Sequence, residues 1–194
     1  MTDGVCGLIL AAGEGTRFGA QPKLLAELEG RPLLEHAIRA QCAVGELERV
    51  VVVLGAFSDR LLNGVDFMRA EAVVCPRWHE GQAASLRYGV RQLRGASKVI
   101  VTLGDEPLIT PQVVARFVGE PAGARAVYDG RPGHPVVLGR DQIRLVTSLR
   151  GDRGARELLG SGPEIELGGR TDLGQDVDTT EDLERIRNEA RAIV

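Results

Sequence analysis

No apolar run in this chain approaches the ~18–20 residues that a membrane-spanning helix needs, and no secretory signal opens it. No membrane association and a cytoplasmic setting are therefore expected. Cysteine is scarce. Cys6, Cys42 and Cys75 lie far apart with no C-x-x-C spacing, which argues against a zinc knuckle or a redox pair. Cys6 and Cys75 stand in strand-like runs and read as inert core thiols. Positive charge is not in excess either: 24 Lys and Arg face 27 Asp and Glu, for a net charge of −3 and a pI of about 5.7. That argues against a nucleic-acid-coating or membrane-surface protein, so any anionic ligand must be held by local charge. No internal repeat, low-complexity tract or linker divides the 194 residues, and a single domain over 1–194 is expected.

What the chain does have is a regular alternation. Apolar runs of strand length occur at Val5–Ala11, Val50–Leu54, Ala72–Cys75 and Val99–Leu103. Helix-like segments separate them at Leu33–Cys42, Phe57–Leu62 and Ala83–Leu93, the first with Leu34, Ala37, Ile38 and Gln41 at helical spacing. A further helix is expected from Thr110-Pro111 to about Val118. Strands at Ala124–Tyr128 and His134–Leu138 would flank a turn at 129–133, with short helices at Asp141–Leu149 and Arg153–Leu159. A last helix would run from Thr180 to about Ala192, with Leu183, Ile186 and Ala190 on one face and Thr179 or Thr180 as its cap. This rhythm predicts an α/β fold with a mainly parallel sheet covered on both faces. Ligands of such sheets bind beyond the carboxyl ends of the strands.

The first strand runs into Gly13-Glu14-Gly15-Thr16-Arg17-Phe18-Gly19, with Pro22-Lys23 close behind. Glycines let a backbone approach a ligand and aim its N–H groups at an anion, and Arg17 and Lys23 add positive charge. The loop is not a P-loop, because no Gly-Lys-Ser/Thr follows. It is not a dinucleotide fingerprint, because the spacing is G-x-G-x-x-x-G and the second strand ends in Gly55-Ala56 rather than an acid. A triphosphate is a ligand that would use all its parts; the alternative is a tight strand-to-helix turn with no ligand, which would not need Arg17 and Lys23.

Asp105, in Leu103-Gly104-Asp105-Glu106-Pro107, would lie on the same sheet edge. A carboxylate facing a triphosphate is repulsive unless a cation lies between, and Mg²⁺ is the usual solution. The alternative is a turn aspartate capping the helix near Thr110. Asp178, just before the last helix, is either a cap or a second ligand of that metal. Gly81, Gln82 and Ser85, at a helix start, offer close approach and neutral hydrogen bonds that suit a base edge or ribose, the alternative being an ordinary helix start with Ser85 inside it. Arg131 and His134 would be presented by the turn at 129–133. Arg153 and Arg156 surround a helix start and either hold a second anionic substrate or form a solvated face.

In order, L-A-A-G-x-G-x-R-x-G with a downstream lysine, E-G-Q-x-x-S-L, G-D-x-P, R-x-G-H-P, G-D-x-G-A-R and D-x-D-T-x-x-D resemble the molybdenum cofactor nucleotidyltransferases, and among them the cytidylyltransferase branch. The resemblance runs from about Val5 to Ile186. It implies a three-layer Rossmann-like nucleotidyltransferase fold with a mainly parallel, mixed central sheet, a nucleotide-binding half over about 1–110 and an acceptor-binding half over about 111–194. It implies that Leu10, Ala11, Ala12, Gly13, Gly15, Thr16 and Arg17 hold the nucleotide, with Lys23 on its phosphates and Gly81, Gln82 and Ser85 by the base and ribose. Asp105 and Asp178 would match the family's magnesium-binding acids, with Mn²⁺ as the alternative ion. Arg17, Lys23 and Asp105 would be catalytic, and Arg131, His134, Arg153 and Arg156 would face the acceptor. Leu-Ala-Ala-Gly at Leu10–Gly13 matches the cytidylyl branch, whereas the guanylyl branch tends to carry Leu-Ala-Gly-Gly. Phe18 stands where the family often has Met, an apolar exchange. The implied substrates are CTP and the molybdopterin cofactor, with a molybdoenzyme or its chaperone as a partner. Rival readings are another donor or acceptor on the same fold, an NAD(P)H-using reductase and a non-catalytic cofactor carrier.

Overall fold

A computed structural model describes residues 4–19, 21–167 and 174–192, with side chains to 188; Ala190, expected on the buried face of the last helix, lies outside the described side chains. The chain builds β1 (Val5–Ala11), a small hairpin of β2 (Glu27–Leu28) and β3 (Arg31–Pro32), α1 (Leu33–Cys42), β4 (Leu47–Leu54), α2 (Ser58–Gly64), β5 (Glu71–Val74), α3 (Gln82–Gln92) and β6 (Lys98–Leu103). It continues with α4 (Pro111–Gly119), β7 (Arg125–Tyr128), β8 (Arg131–Gly139), α5 (Arg140–Leu145), β9 (Glu164–Glu166) and α6 (Thr180–Ala192).

Seven strands form one sheet in the order β5-β4-β1-β6-β8-β7-β9. β5, β4, β1 and β6 pair in parallel; β8 is antiparallel to both β6 and β7, and β9 returns parallel to β7. The sheet is thus mainly parallel with one reversed strand. Its central strands are buried on both faces, which is why β4 reads as the unbroken run Val50–Leu54 rather than an alternation.

The pleat divides the core. Ile9 and Ala11 face one layer with Leu34 and Ile38 of α1 and Val114 and Phe117 of α4, while Leu8 and Leu10 face the other with Leu86 and Val90 of α3. Two polar side chains meet in this interior: Gln41 of α1 is fully buried and its Nε2 donates to Oγ1 of the buried Thr102 at 2.9 Å. A third apolar cluster joins Leu28 and Leu33 to Val177, Leu183 and Ile186, docking α6 on the hairpin.

Chain order places the site. From β1 the chain winds outward through β4 to β5, then returns to the opposite side of β1 to make β6. The connections therefore diverge between β1 and β6, and their carboxyl ends open a crevice.

Three expectations are corrected here. The segment expected as a helix over Arg153–Leu159 forms only a 3-10 turn at Ala155–Leu158, with Gly154 before it in extended geometry. Likewise 141–149 divides into α5 and a 3-10 turn at Val146–Ser148. The turn between β7 and β8 is also shorter than 129–133. Asp129 (φ 49) and Gly130 (φ 72) make a two-residue reversal of the Asp-Gly kind, and β8 begins at Arg131. His134 therefore stands inside a strand and is buried, not displayed on a turn.

Candidate active site

Three segments meet at the crevice. The first leaves β1 at Ala11 and turns at Gly15, whose φ of 61° is left-handed. A Cβ there would lie 3.2 Å from Cβ of Lys23, so the loop wraps closely around the lysine stem. A 3-10 turn at Lys23–Leu25 then buries Lys23 almost completely. The second segment follows β6: Gly104 N donates to Leu10 O at 2.9 Å and extends the ladder, leaving Asp105 over the crevice. The third precedes α6 and is tied to the second by Val177 N donating to Asp105 O at 2.9 Å.

These ties bring two distant acids onto one cation. Lys23 Nζ donates to Asp105 Oδ2 at 2.6 Å and to Asp178 Oδ1 at 3.0 Å, while Arg17 Nη2 meets Asp178 Oδ2 at 2.6 Å. Burial works against the charge on Lys23, but the two carboxylates outweigh it and hold the ammonium above the ordinary lysine value. Burial pushes Asp105 above the ordinary carboxylate value, and Lys23 draws it only part of the way back.

Other residues take the capping roles that Asp105 and Asp178 were alternatives for. Thr110 Oγ1 accepts from Val113 N at 3.3 Å and caps α4. Thr179 Oγ1 accepts from Asp182 N at 3.1 Å while Asp182 Oδ2 accepts from Thr179 N at 2.9 Å, a reciprocal box on α6. Both aspartates are left with their carboxylates turned to Lys23.

Beside this cluster lies a cleft of about 630 Å³ lined by Ala12, Gly13, Thr16, Gln82, Ser85 and Asp105. Leu10, Gly15 and Gly81 also line it, with Trp78 on the wall, while Ala11 and Lys23 line a small hollow next to it. Gly81 is conformationally required: its φ is 98° and a Cβ would come within 2.5 Å of the Gly151 carbonyl carbon.

A second cavity of about 810 Å³ adjoins the first across Leu10, Gln82, Leu103 and Asp152. Arg131, His134 and Arg156 line it, whereas Arg153 is not among its lining residues and stands exposed. Here the structure adds residues that sequence reasoning passed over. Glu106 is 2% exposed and its Oε1 lies 2.9 Å from His134 Nδ1. Tyr128, which also lines the cavity, donates its hydroxyl to His134 O at 2.5 Å; burial holds that phenol well above its ordinary value. An acid directly behind Asp105 was the signal for Glu106, but local pattern says nothing of a partner on another strand.

The profile of the MobA-like NTP transferase domain matches residues 7–166. The chain belongs to this family. A relative in Paenarthrobacter nicotinovorans, named nicotine blue oxidoreductase, is 32% identical over 94% of this chain and 96% of its own. The 2-C-methyl-D-erythritol 4-phosphate cytidylyltransferase of Rubrobacter xylanophilus is 34% identical over 76% of this chain and 62% of its own. Among solved structures, Rv0371c of Mycobacterium tuberculosis H37Rv superposes with a TM-score of 0.83 at 26% identity, covering 96% of this chain and all of that one; Rv0371c has also been crystallised as a complex with manganese. The chain is thus a nucleotidyltransferase of the MobA-like family, with the Rossmann-like fold of its neighbours. No helix among the described residues is long and apolar enough to cross a membrane.

Proposed function

We propose that the protein transfers a cytidylyl group from CTP to the phosphate of the molybdopterin cofactor and releases pyrophosphate. The observation that carries this reading is the convergence of Lys23, Asp105, Asp178 and Arg17 at the crevice between β1 and β6, beside a nucleotide-sized cleft that Asp105 lines and that adjoins a second polar cavity. The Leu10–Gly13 sequence and a cytidylyltransferase relative favour CTP as donor.

The nucleophile, a phosphate oxygen, is already anionic near neutral pH and needs no general base. Catalysis is then positioning and charge neutralisation. Gly13 and Gly15 let the loop backbone approach the triphosphate, and Arg17 and Lys23 take the charge of the leaving pyrophosphate. Gln82 and Ser85 address the base and ribose, and Arg131 and Arg156 receive the acceptor.

The donor set fits a divalent ion. Asp105 and Asp178 already converge on one positive charge, and among the described residues no cage of three or more His, Cys, Asp or Glu side chains exists. Two carboxylates completed by phosphate oxygens and water are what Mg²⁺ accepts, and Mn²⁺ takes similar oxygen ligands. Asp105 and Asp178 would hold such an ion, which would supply Lewis-acid polarisation of a phosphate when bound.

The test is pyrophosphate release with each of the four NTPs, with and without molybdopterin cofactor. Release that requires both CTP and the cofactor is expected; release with another NTP, or with a sugar phosphate instead, would reassign donor or acceptor. The relative named as an oxidoreductase favours a second reading, an NAD(P)H-dependent reductase on this fold. NAD(P)H consumption with a reducible aromatic substrate, independent of divalent metal, would select it.

A further inference from the structure

The two cavities share a boundary, and the loop over 149–154 makes part of it. This loop is fastened to the start of α3. Ala83 N donates to Gly151 O at 2.9 Å, and the Arg87 guanidinium donates to Leu149 O. Gly81 packs on the Gly151 carbonyl, and Gln82 Oε1 fills the space where a Cβ at Gly154 would stand. Loop and helix start are thus built as one unit, and the residue at the tip of the loop is held in place.

That residue is Asp152. It is exposed, and it lines both cavities together with Leu10, Gln82 and Leu103. Its Oδ1 reaches back over Gly81, 2.6 Å from the position a Cβ would take there. Its carboxylate has no hydrogen-bond or ion-pair partner among the described residues. Nor does it join the two acids on Lys23, since no three His, Cys, Asp or Glu side chains among the described residues come together to hold an ion. Neither a local hydrogen bond nor the metal pair accounts for it.

The chemistry of the boundary limits what this group can meet. Against a phosphate a carboxylate is repulsive, and against an apolar surface it loses hydration without return. Its two oxygens suit two adjacent O–H donors, one each. In a nucleotide bound in the cleft and attacked at its α-phosphate from the second cavity, the ribose is the group joined to that phosphate. It therefore lies at the boundary, and its vicinal hydroxyls are the paired donors.

We propose that Asp152 is a specificity-determining residue that accepts hydrogen bonds from the 2′- and 3′-hydroxyls of the nucleotide ribose, so that ribonucleoside triphosphates are selected over their deoxy counterparts. The orientation of the nucleotide rests on the nucleotidyl-transfer reading; the hydroxyl pairing does not depend on the base.

Isothermal titration calorimetry of the full chain with Mg²⁺ tests this without turnover. The ligands are CTP, 2′-deoxy-CTP and 2′,3′-dideoxy-CTP, with GTP and 2′-deoxy-GTP beside them. In the wild type, Kd is expected to rise about tenfold or more from CTP to 2′-deoxy-CTP, the effect of one hydrogen bond to a carboxylate, and again to the dideoxy form. Asp152→Ala is expected to bring CTP to the Kd of dideoxy-CTP and to leave dideoxy-CTP unchanged. A wild type that binds all three cytidine ligands equally overturns the proposal whatever the variant does. So does a variant that still discriminates, or one that weakens all three alike. The same pattern seen with the guanosine pair instead would uphold the role of Asp152 and fail only CTP as donor. Binding of no nucleotide at all would overturn both.

Discussion

Lys23→Met replaces the ammonium with an apolar side chain of similar length and tests the crevice directly. In the wild type, Lys23 is 9% exposed at its side chain and bridges carboxylates at 2.6 and 3.0 Å whose own side chains are 21% and 25% exposed. Removing one partner of a buried pair leaves uncompensated charge and costs about 3–5 kcal/mol. Arg17 remains on Asp178, and Asp105, already pushed up by burial, can take a proton, so the lower end is expected. For a chain of this length each kcal/mol moves Tm by about 2–4 °C, which gives a drop of roughly 6–12 °C in EDTA at pH 7.5. Manganese should then bind where the lysine was and return part of the loss, about 2.7 kcal/mol at a hundredfold excess over its Kd. The wild type, with the ammonium in place, should show little response to manganese until nucleotide draws the lysine away. Differential scanning calorimetry with EDTA, Mn²⁺ and Mn²⁺ plus CTP reads all of this. A variant within 2 °C of wild type in EDTA, or a wild type stabilised by manganese alone as much as the variant, would refute the reasoning.

Asp105→Asn should lower turnover by about two orders of magnitude or more, as loss of a charged group aimed at the reacting phosphate does; near-normal turnover with Mg²⁺ would remove Asp105 from the site. Gly81→Ala places a Cβ within 2.6 Å of Asp152 Oδ1 at a φ of 98° and should cost about 1–3 kcal/mol while raising the KM for nucleotide; unchanged nucleotide kinetics would count against that wall of the cleft. Burial raises the Cys6 and Cys42 thiols and the Tyr128 phenol, so the native state holds protons that the unfolded chain releases above about pH 8.5 and about pH 10. Stability is then full below those values and falls as pH rises through them. Tyr128→Phe should flatten the slope above about pH 10 in urea midpoints measured from pH 8 to 11, and an unaltered slope would place the effect elsewhere.

The fold is legible where the periodicity is strong. β1 and α1 coincide with their predicted bounds because an apolar run ending in a glycine loop, and a Pro-led amphipathic turn, each leave one reading. The hairpin of β2 and β3 and the edge strand β9 were not legible, since two or three residues carry no period and Glu164-Ile165-Glu166 looks like surface. In the site, the loop chemistry of Gly13, Gly15 and Lys23 could be read locally. Whether Asp105 and Asp178 cap helices or face a cation could not, because both roles use the same residue before the same helix; only the hydrogen bonds of Thr110 and Thr179 separate them. The strand that carries His134 was started three residues late for a related reason. Asp129-Gly130 alone makes the reversal, so the Pro and Gly that follow are strand residues, and the partner of His134 arrives from the loop after another strand.

The oxidoreductase name of a relative sharpens what the crevice has to explain. Hydride transfer asks the protein to hold a nicotinamide against a reducible ring, and on an open parallel sheet it normally asks the second strand to end in an acid for the ribose. Here β4 ends in Leu54 and is followed by Gly55, Ala56 and Phe57, with no acid at that edge. A dinucleotide also gains nothing from two carboxylates facing its diphosphate, which repel it unless a cation intervenes. Asp105 and Asp178 are clamped on Lys23, beside the loop after the first strand, where dinucleotide-binding sheets hold a pyrophosphate. Under the reductase reading both acids are a liability, and Asp105→Asn should leave activity intact or improve it. Under nucleotidyl transfer they hold the counter-charge that lets one anion attack another, and the same substitution should lower turnover by about two orders of magnitude or more. The two chemistries thus assign opposite signs to one mutation.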